Sequence, residues 1–163
     1  PYTTLFRSRF LDVLKMMGCS VSTDEEKKDV IVIGPEKKLS GVDIDMSDFS
    51  DQTMTVAAIE PFADSPTIIR GVGHIRGQES DRLSALSTEL TRLGVNVEEY
   101  PDGIKIYPAE KLKSEVLINT YNDHRMAMAF SVIGTHIPGV TIDDPMCCKK
   151  TFENFFDILS TLH

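Results

Sequence analysis

One pattern recurs in this chain at an interval of about 75 residues, and such a duplication restricts the available folds more than any other feature of the sequence. Apolar residues at helical spacing run through Phe10-Leu-Asp-Val-Leu-Lys-Met-Met and stop at Gly18; the pattern returns in Leu83-Ser-Ala-Leu-Ser-Thr-Glu-Leu-Thr-Arg-Leu and stops at Gly94. Glycine just past the last periodic residue is a common helix end. Short strands are predicted next, over 19–22 and 95–98, each leading to a polar turn. Strands follow over 30–33 and 103–107, the second entered through a Pro101-Asp102-Gly103 hairpin turn. Further strands are expected over 42–45 and 116–118. Helices then open at Asp51-Gln-Thr-Met54 and Asp123-His-Arg-Met126, and run into strands at 67–69 and 140–142. The order is helix, three strands, helix, strand, written twice. A single unit of this size cannot bury its apolar face alone, so the fold class is α/β, built from symmetric packed units. A closing helix is expected over 152–162.

The length of 163 residues suits one ordinary domain, and 41% hydrophobic with 26% charged residues is a globular composition. Lys and Arg number 17 against 25 Asp and Glu, a net charge of −8. That balance excludes a general nucleic-acid binder, which needs a basic stripe to neutralise phosphates, but permits a local cationic pocket. Cys19, Cys147 and Cys148 form no metal-ligand spacing and read as reduced thiols, and no metal is expected. The apolar run over 126–134 is far shorter than a membrane span, and no secretory leader opens the chain. These features predict a cytoplasmic protein without a membrane partner. The first eight residues, Pro1-Tyr-Thr-Thr-Leu-Phe-Arg-Ser8, read like a translated sequencing-library adapter; they are set aside as a tail, and 9–163 carries the fold. The natural gene is expected to continue upstream.

The chemistry is expected at helix starts. A helix N-terminus is partly positive, so a cation in the first turn is unfavourable unless an anion binds there. Three cations take such places: Arg82 after Ser80-Asp81, Arg125 after Asn122-Asp123 at the head of an apolar helix, and Lys150 just before Phe152. Together they would hold a multiply charged anion, for which Arg offers paired donors and Lys a point charge. The competing reading makes Asp81 and Asp123 ordinary N-caps, with each arginine paired to its neighbouring acid at the surface. Asp51 reads as the N-cap of its helix and Glu79 as a solvated acid; facing the cations, they would instead be a carboxylate pair able to move protons. His74 and His124 also titrate near neutrality, and sequence leaves these four groups unranked.

Four segments in fixed order carry a resemblance. They are Asp45-Met-Ser-Asp-Phe-Ser-Asp51, Gly73-His-Ile-Arg-Gly-Gln-Glu-Ser-Asp-Arg-Leu83, Tyr121-Asn-Asp-His-Arg-Met-Ala-Met128 and Asp144-Pro-Met-Cys-Cys-Lys-Lys-Thr-Phe152. Together they closely resemble the C-terminal part of the 5-enolpyruvylshikimate-3-phosphate synthase family, over essentially 9–163. The resemblance implies an inside-out α/β barrel of the enolpyruvyl transferase type. There each of two domains has three similar units and the active site lies in the cleft between domains. This chain would hold about two of the three units of one domain plus a C-terminal helix.

The reaction implied by the resemblance moves the carboxyvinyl group of phosphoenolpyruvate to the 5-hydroxyl of shikimate 3-phosphate, with release of phosphate. Asp51 then matches the residue contacting the attacking hydroxyl, and Glu79 the one near the carbon that gains and loses a proton. Arg82, Arg125 and Lys150 match the phosphoenolpyruvate ligands, with His124 beside them. His74 and Gln78 stand near shikimate 3-phosphate, where many members carry Asn and Lys. No cofactor is implied, and the full-length protein would be a monomer. The isolated chain, lacking half the cleft, is expected to be inactive. Two alternatives of the same fold are a non-catalytic anion-binding module and a transferase acting on UDP-N-acetylglucosamine.

Overall fold

The computed structural model of the protein describes residues 2–24, 26 and 29–162, with side chains from residue 9 onward. The expected repeat is present. The first unit consists of α1 (Tyr2–Met16), β1 (Ser20–Asp24), β2 (Asp29–Ile33), β3 (Asp43–Asp45), α2 (Thr53–Ile59) and β4 (Thr67–Arg70). The second consists of α3 (Arg82–Arg92), β5 (Val97–Tyr100), β6 (Gly103–Ile106), β7 (Leu117–Ile118), α4 (His124–Gly134) and β8 (Thr141–Ile142). Short 3₁₀ helices at Ser47–Gln52, Glu60–Phe62, Gly73–Gly77 and Pro145–Cys148 join these elements, and α5 (Phe155–Ser160) closes the chain. The backbone of α1 is helical from Tyr2, whereas Pro1 and the side chains of residues 1–8, which the adapter reading concerns, lie outside the described residues.

The helix-ending glycines act as the pattern requires. Gly18 and Gly94 have φ of 96° and 91°, a region that costs glycine little and other residues more. Each allows the same pair of closing bonds: Cys19 N–H to Leu14 O and Gly18 N–H to Lys15 O in one unit, Val95 N–H to Leu90 O and Gly94 N–H to Thr91 O in the other. This is the Schellman arrangement, and it satisfies carbonyls that the helix end would leave open.

A four-stranded sheet of order β3-β4-β6-β5 ties the units together. β4 pairs with β3 in parallel and with β6 antiparallel, so the last strand of the first unit is stitched to the hairpin of the second. Ile69 and Ile104 face each other in this register and are fully buried. β1 and β2 form a separate antiparallel pair, and β7 and β8 a parallel one. α3 packs on the β5 and β6 strands of the large sheet, α2 and α4 pack against α3 and against each other, and one core includes Met54, Ile69, Leu86, Leu90, Ile104 and Phe130. Among the described residues no helix is long and apolar enough to cross a membrane.

Two expectations about helix starts are corrected. The closing helix begins at Phe155, with Asn154 before it, and not at 152. Lys150 therefore heads no helix. Asp144 explains the shift: its carboxylate accepts from Met146 N–H, and with Pro145 it starts the 3₁₀ turn Pro145–Cys148, so the start signal is used there. Asp51 is likewise no N-cap. It lies inside the 3₁₀ helix Ser47–Gln52, and Gln52 and Thr53 are already helical, so no extended residue precedes α2.

Candidate functional site

The two related helices α2 and α4 pack together, and the segments Asp51-Gln-Thr-Met54 and Asp123-His-Arg-Met126 meet at one end of the bundle. Asp123 caps α4, its carboxylate accepting from Arg125 N–H at 2.9 Å. That cap aims the Arg125 side chain at the first unit, where it donates to Asp51 Oδ2 at 2.8 Å and to Asp51 O at 3.1 Å.

Arg82 begins α3, whose N-cap Asp81 accepts from Ser84 N–H. The local pairing of Arg82 with Asp81 is not what forms. Arg82 is 1% exposed and reaches 41 residues along the chain, its Nε donating to Asp123 Oδ2 at 2.7 Å and one terminal nitrogen to Asp123 Oδ1 at 3.3 Å. That same nitrogen donates to Glu79 Oε2 at 2.7 Å, and the other terminal nitrogen donates to the Gln78 side-chain oxygen and lies 3.7 Å from Asp51 Oδ1. A guanidinium this deep requires such acceptors, because an unpaired buried charge is far costlier than a paired one. Burial opposes the charge on Asp123, but bonds from Arg82, from Arg125 N–H and from Ser80 outweigh it, holding the carboxyl below its ordinary range.

His124 is buried beside these groups, and its Nδ1 has no hydrogen-bond partner. Burial first, and then Arg125 with a smaller push from Lys150, lowers its titration against the pull of Asp123 and Glu79, so the ring is neutral near pH 7. Lys150 is exposed in the turn after Cys148. His74 ties its own 3₁₀ turn to the residue before Asp51, with Nε2 2.8 Å from Ser50 Oγ. A cavity of about 290 Å³ opens between α2, α4 and α5, lined by Asp51, Gln52, His124, Arg125, Thr151 and Phe155. Arg125 is the guanidinium that reaches it.

The structure thus gathers Asp51, Gln78, Glu79, Arg82, His124 and Arg125 in one cluster, places His74 at its edge and leaves Lys150 outside it, exposed, with its charge acting weakly on His124. Sequence reasoning undervalued Asp123, read only as a cap, and missed Arg76. Arg76 donates to both Asp81 oxygens at 3.1 Å and to Tyr100 O at 2.9 Å, and pairs with Glu99 at 2.7 Å, fixing the turn before α3 onto the β5-β6 hairpin. Its place in His74-Ile-Arg76 was visible, but its partners lie up to 25 residues away. The three cysteines are free, and burial pushes the Cys148 thiol up to about 12, leaving it unreactive. No group of three or more metal-ligating side chains occurs among the described residues.

The α/β fold is that of the enolpyruvyl transferases. Solved structures agree on the fold: EPSP synthase from Acinetobacter baumannii superposes with a TM-score of 0.80 at 23% identity, over 93% of this chain and 38% of that one. The enolpyruvyl transferase NikO from Streptomyces tendae gives 0.76 at 21% identity, over 95% and 35%. The family model described as EPSP synthase (3-phosphoshikimate 1-carboxyvinyltransferase) matches residues 3–159, and the chain belongs to that family. Among its relatives, the 3-phosphoshikimate 1-carboxyvinyltransferase of Nostoc punctiforme is 52% identical over 147 residues, 90% of this chain and 33% of the relative. The chloroplastic protein of that name from Petunia hybrida is 45% identical over 157 residues, 93% and 30%. The chain thus spans about a third of the length of these relatives.

Proposed function

We propose that this chain supplies one wall of a cleft that transfers the carboxyvinyl group of phosphoenolpyruvate to the 5-hydroxyl of shikimate 3-phosphate, releasing phosphate. The observation that carries the reading is the Asp51-Arg125 pair lining the cavity, backed by the buried Arg82-Asp123 pair. An anion entering the cavity competes with Asp51 for the donors of Arg125. Once displaced, the Asp51 carboxylate has lone pairs free to accept the proton of an attacking hydroxyl. That hydroxyl adds to C2 of phosphoenolpyruvate while C3 gains a proton, and loss of phosphate with a proton from C3 restores the double bond. Glu79, held by Arg82, is assigned the proton at C3; Arg82, Arg125 and Lys150 are assigned the negative charge of phosphoenolpyruvate. Neutral His124 adds no fourth positive charge and offers a ring nitrogen as hydrogen-bond partner. His74 and Gln78 are assigned to the shikimate 3-phosphate side.

We further assign residues 9–163 to two of three units of one domain plus the C-terminal helix, residues 1–8 to an adapter-derived tail, and the whole protein to a cytoplasmic monomer. The isolated chain is expected to show no turnover, since the opposing wall is absent. The test is phosphate release from both substrates by a polypeptide extended upstream to the length of the relatives, beside Asp51→Ala and Arg125→Ala. Activity lost in both variants supports the proposal. A folded parent that binds phosphoenolpyruvate without turnover points instead to the anion-binding module.

A further inference from the structure

Glu89 lies outside the cavity and takes no part in the chemistry above, yet it is fully buried and its two oxygens accept four hydrogen bonds. Oε1 receives the Tyr121 hydroxyl at 2.8 Å and the Asn119 side-chain amide at 3.1 Å; Oε2 receives Arg92 at 2.8 Å and Asn119 N–H at 3.2 Å. Three of these donors belong to one short turn that leads from β7 into α4. In the same turn Tyr121 and Asn122 have φ of 55° and 56°, two successive non-glycine residues in the left-handed region. Each such residue is unfavourable and persists only where its surroundings over-determine it.

The surroundings here come largely from one helix. α3 grips the turn at both ends, with Glu89 on Asn119 and Tyr121, and Arg82 on Asp123. Two turns of α3 separate Glu89 from Arg82, so the helix acts as a ruler along which the left-handed pair is held. Asp143 holds Thr120 N–H from the other side at 2.9 Å. Everything after the turn inherits its geometry, because Asp123 caps α4 and the cap directs Arg125 to Asp51.

We infer that Glu89 is a positioning residue: it holds Tyr121 and Asn122 left-handed and thereby sets where Arg125 meets an anion. The inference rests on the reading of Arg125 as a phosphoenolpyruvate ligand. It needs the carboxylate in particular. Glutamine has the same shape, but its NH₂ group cannot accept, so the Tyr121 hydroxyl and the Asn119 side-chain amide that donate to Oε1 would have to turn over, and the charge that strengthens all four bonds is lost.

The experiment compares the extended polypeptide with Glu89→Gln, Tyr121→Phe and the double variant Glu89→Gln/Asn122→Gly. Glu89→Gln is expected to raise KM for phosphoenolpyruvate on the order of ten- to a hundredfold, since a small displacement of a binding group has effects of this size. KM for shikimate 3-phosphate should stay within about twofold, as uniform loss of folded protein would change neither KM. Tyr121→Phe, which removes one donor and keeps the packing, should move in the same direction by less. Glycine at 122 adopts the left-handed region without strain, so the double variant should recover much of the lost affinity.

Unchanged KM in a folded Glu89→Gln variant, or failure of Asn122→Gly to rescue, overturns the inference. If the parent has no turnover, the proposed function fails on its own and the positioning role is decided on the 163-residue chain. There the strong intraresidue HN–Hα nuclear Overhauser contacts of left-handed Tyr121 and Asn122 should weaken in Glu89→Gln, and their persistence overturns it.

Discussion

β2 and β6 hold the same place in the two repeats, the second strand of a hairpin, yet their surroundings are opposite. β6 lies between β4 and β5, and Ile104 is fully buried; among the described residues β2 pairs with β1 alone, and Ile31 is 56% exposed. The intrinsic preferences of Asp29-Val-Ile-Val-Ile33 are if anything the stronger for a strand. Burial therefore comes from the neighbouring unit and not from the segment: β6 is covered because β4 of the first unit reaches it. Asp51 and Asp123 differ in the same way. One is half exposed and shared between two arginines, the other is buried, caps its helix and holds Arg82.

The largest effect should come from breaking the buried member of that second contrast. Arg82→Ala strands Asp123 without its main partner and is expected to cost about 3–5 kcal/mol, whereas Asp51→Ala at the exposed pair should cost no more than about 1 kcal/mol in urea unfolding. Comparable losses would mean that the two aspartates are not in different environments. Because the Asp123 carboxyl titrates below its unfolded value, its stabilisation is present above that value and disappears as pH falls through the folded one.

Glu60 and Val132 offer a contrast of the opposite kind, since 72 residues apart the acid is buried and the apolar side chain is 41% exposed. Glu60 accepts from the Thr67 hydroxyl, and its other oxygen has no partner. Burial pushes its carboxyl up to about 7, with Asp64 adding to the push and the Thr67 bonds opposing it. The folded state therefore holds a proton that the unfolded state has released, and stability should fall as pH rises from 4.5 to about 7 and level off above that. The change should be about 3 kcal/mol, and Glu60→Gln should remove that slope in a series of melts across this window. A slope that survives the substitution would assign it elsewhere.

Ile104→Thr should cost about 1–3 kcal/mol, with a hydroxyl added to a filled core, while Ile31→Thr on the open strand should stay within about 0.5 kcal/mol. Equal costs would show that β2 is covered in solution. The smallest effects test where the units agree: Gly18→Ala and Gly94→Ala should each cost about 1 kcal/mol, since both glycines are left-handed and neither Cβ would meet an atom closer than 3.5 Å.

Much of the fold was legible because it is written in short-range rules. Periodicity located the helices and strands of both units to within a few residues, except for the start of α1, which lies at Tyr2 and not at Phe10, and the two glycines marked their helix ends. The cluster was legible in part. Arg82 and Arg125 read as cations misplaced at helix starts, and both are engaged by acids, but apart from Glu79 the acids are far along the chain. Lys150 and Asp51 went wrong for a common reason: Asp followed by a turn serves a 3₁₀ helix as readily as an α-helix, and no local signal separates them. Glu89 gave no signal, because a glutamate inside a helix looks solvated until its partners are known.

The sequence by itself determined the repeat, the order of its elements, the helix ends and the family, since each depends on residues within a few positions of one another or on an ordered set of motifs. The tertiary structure alone decided which aspartate is buried, which arginine faces the cavity and what Glu89 holds. Those depend on contacts between residues 30 to 74 positions apart, and such contacts exist only once helix and sheet packing has brought the two units face to face.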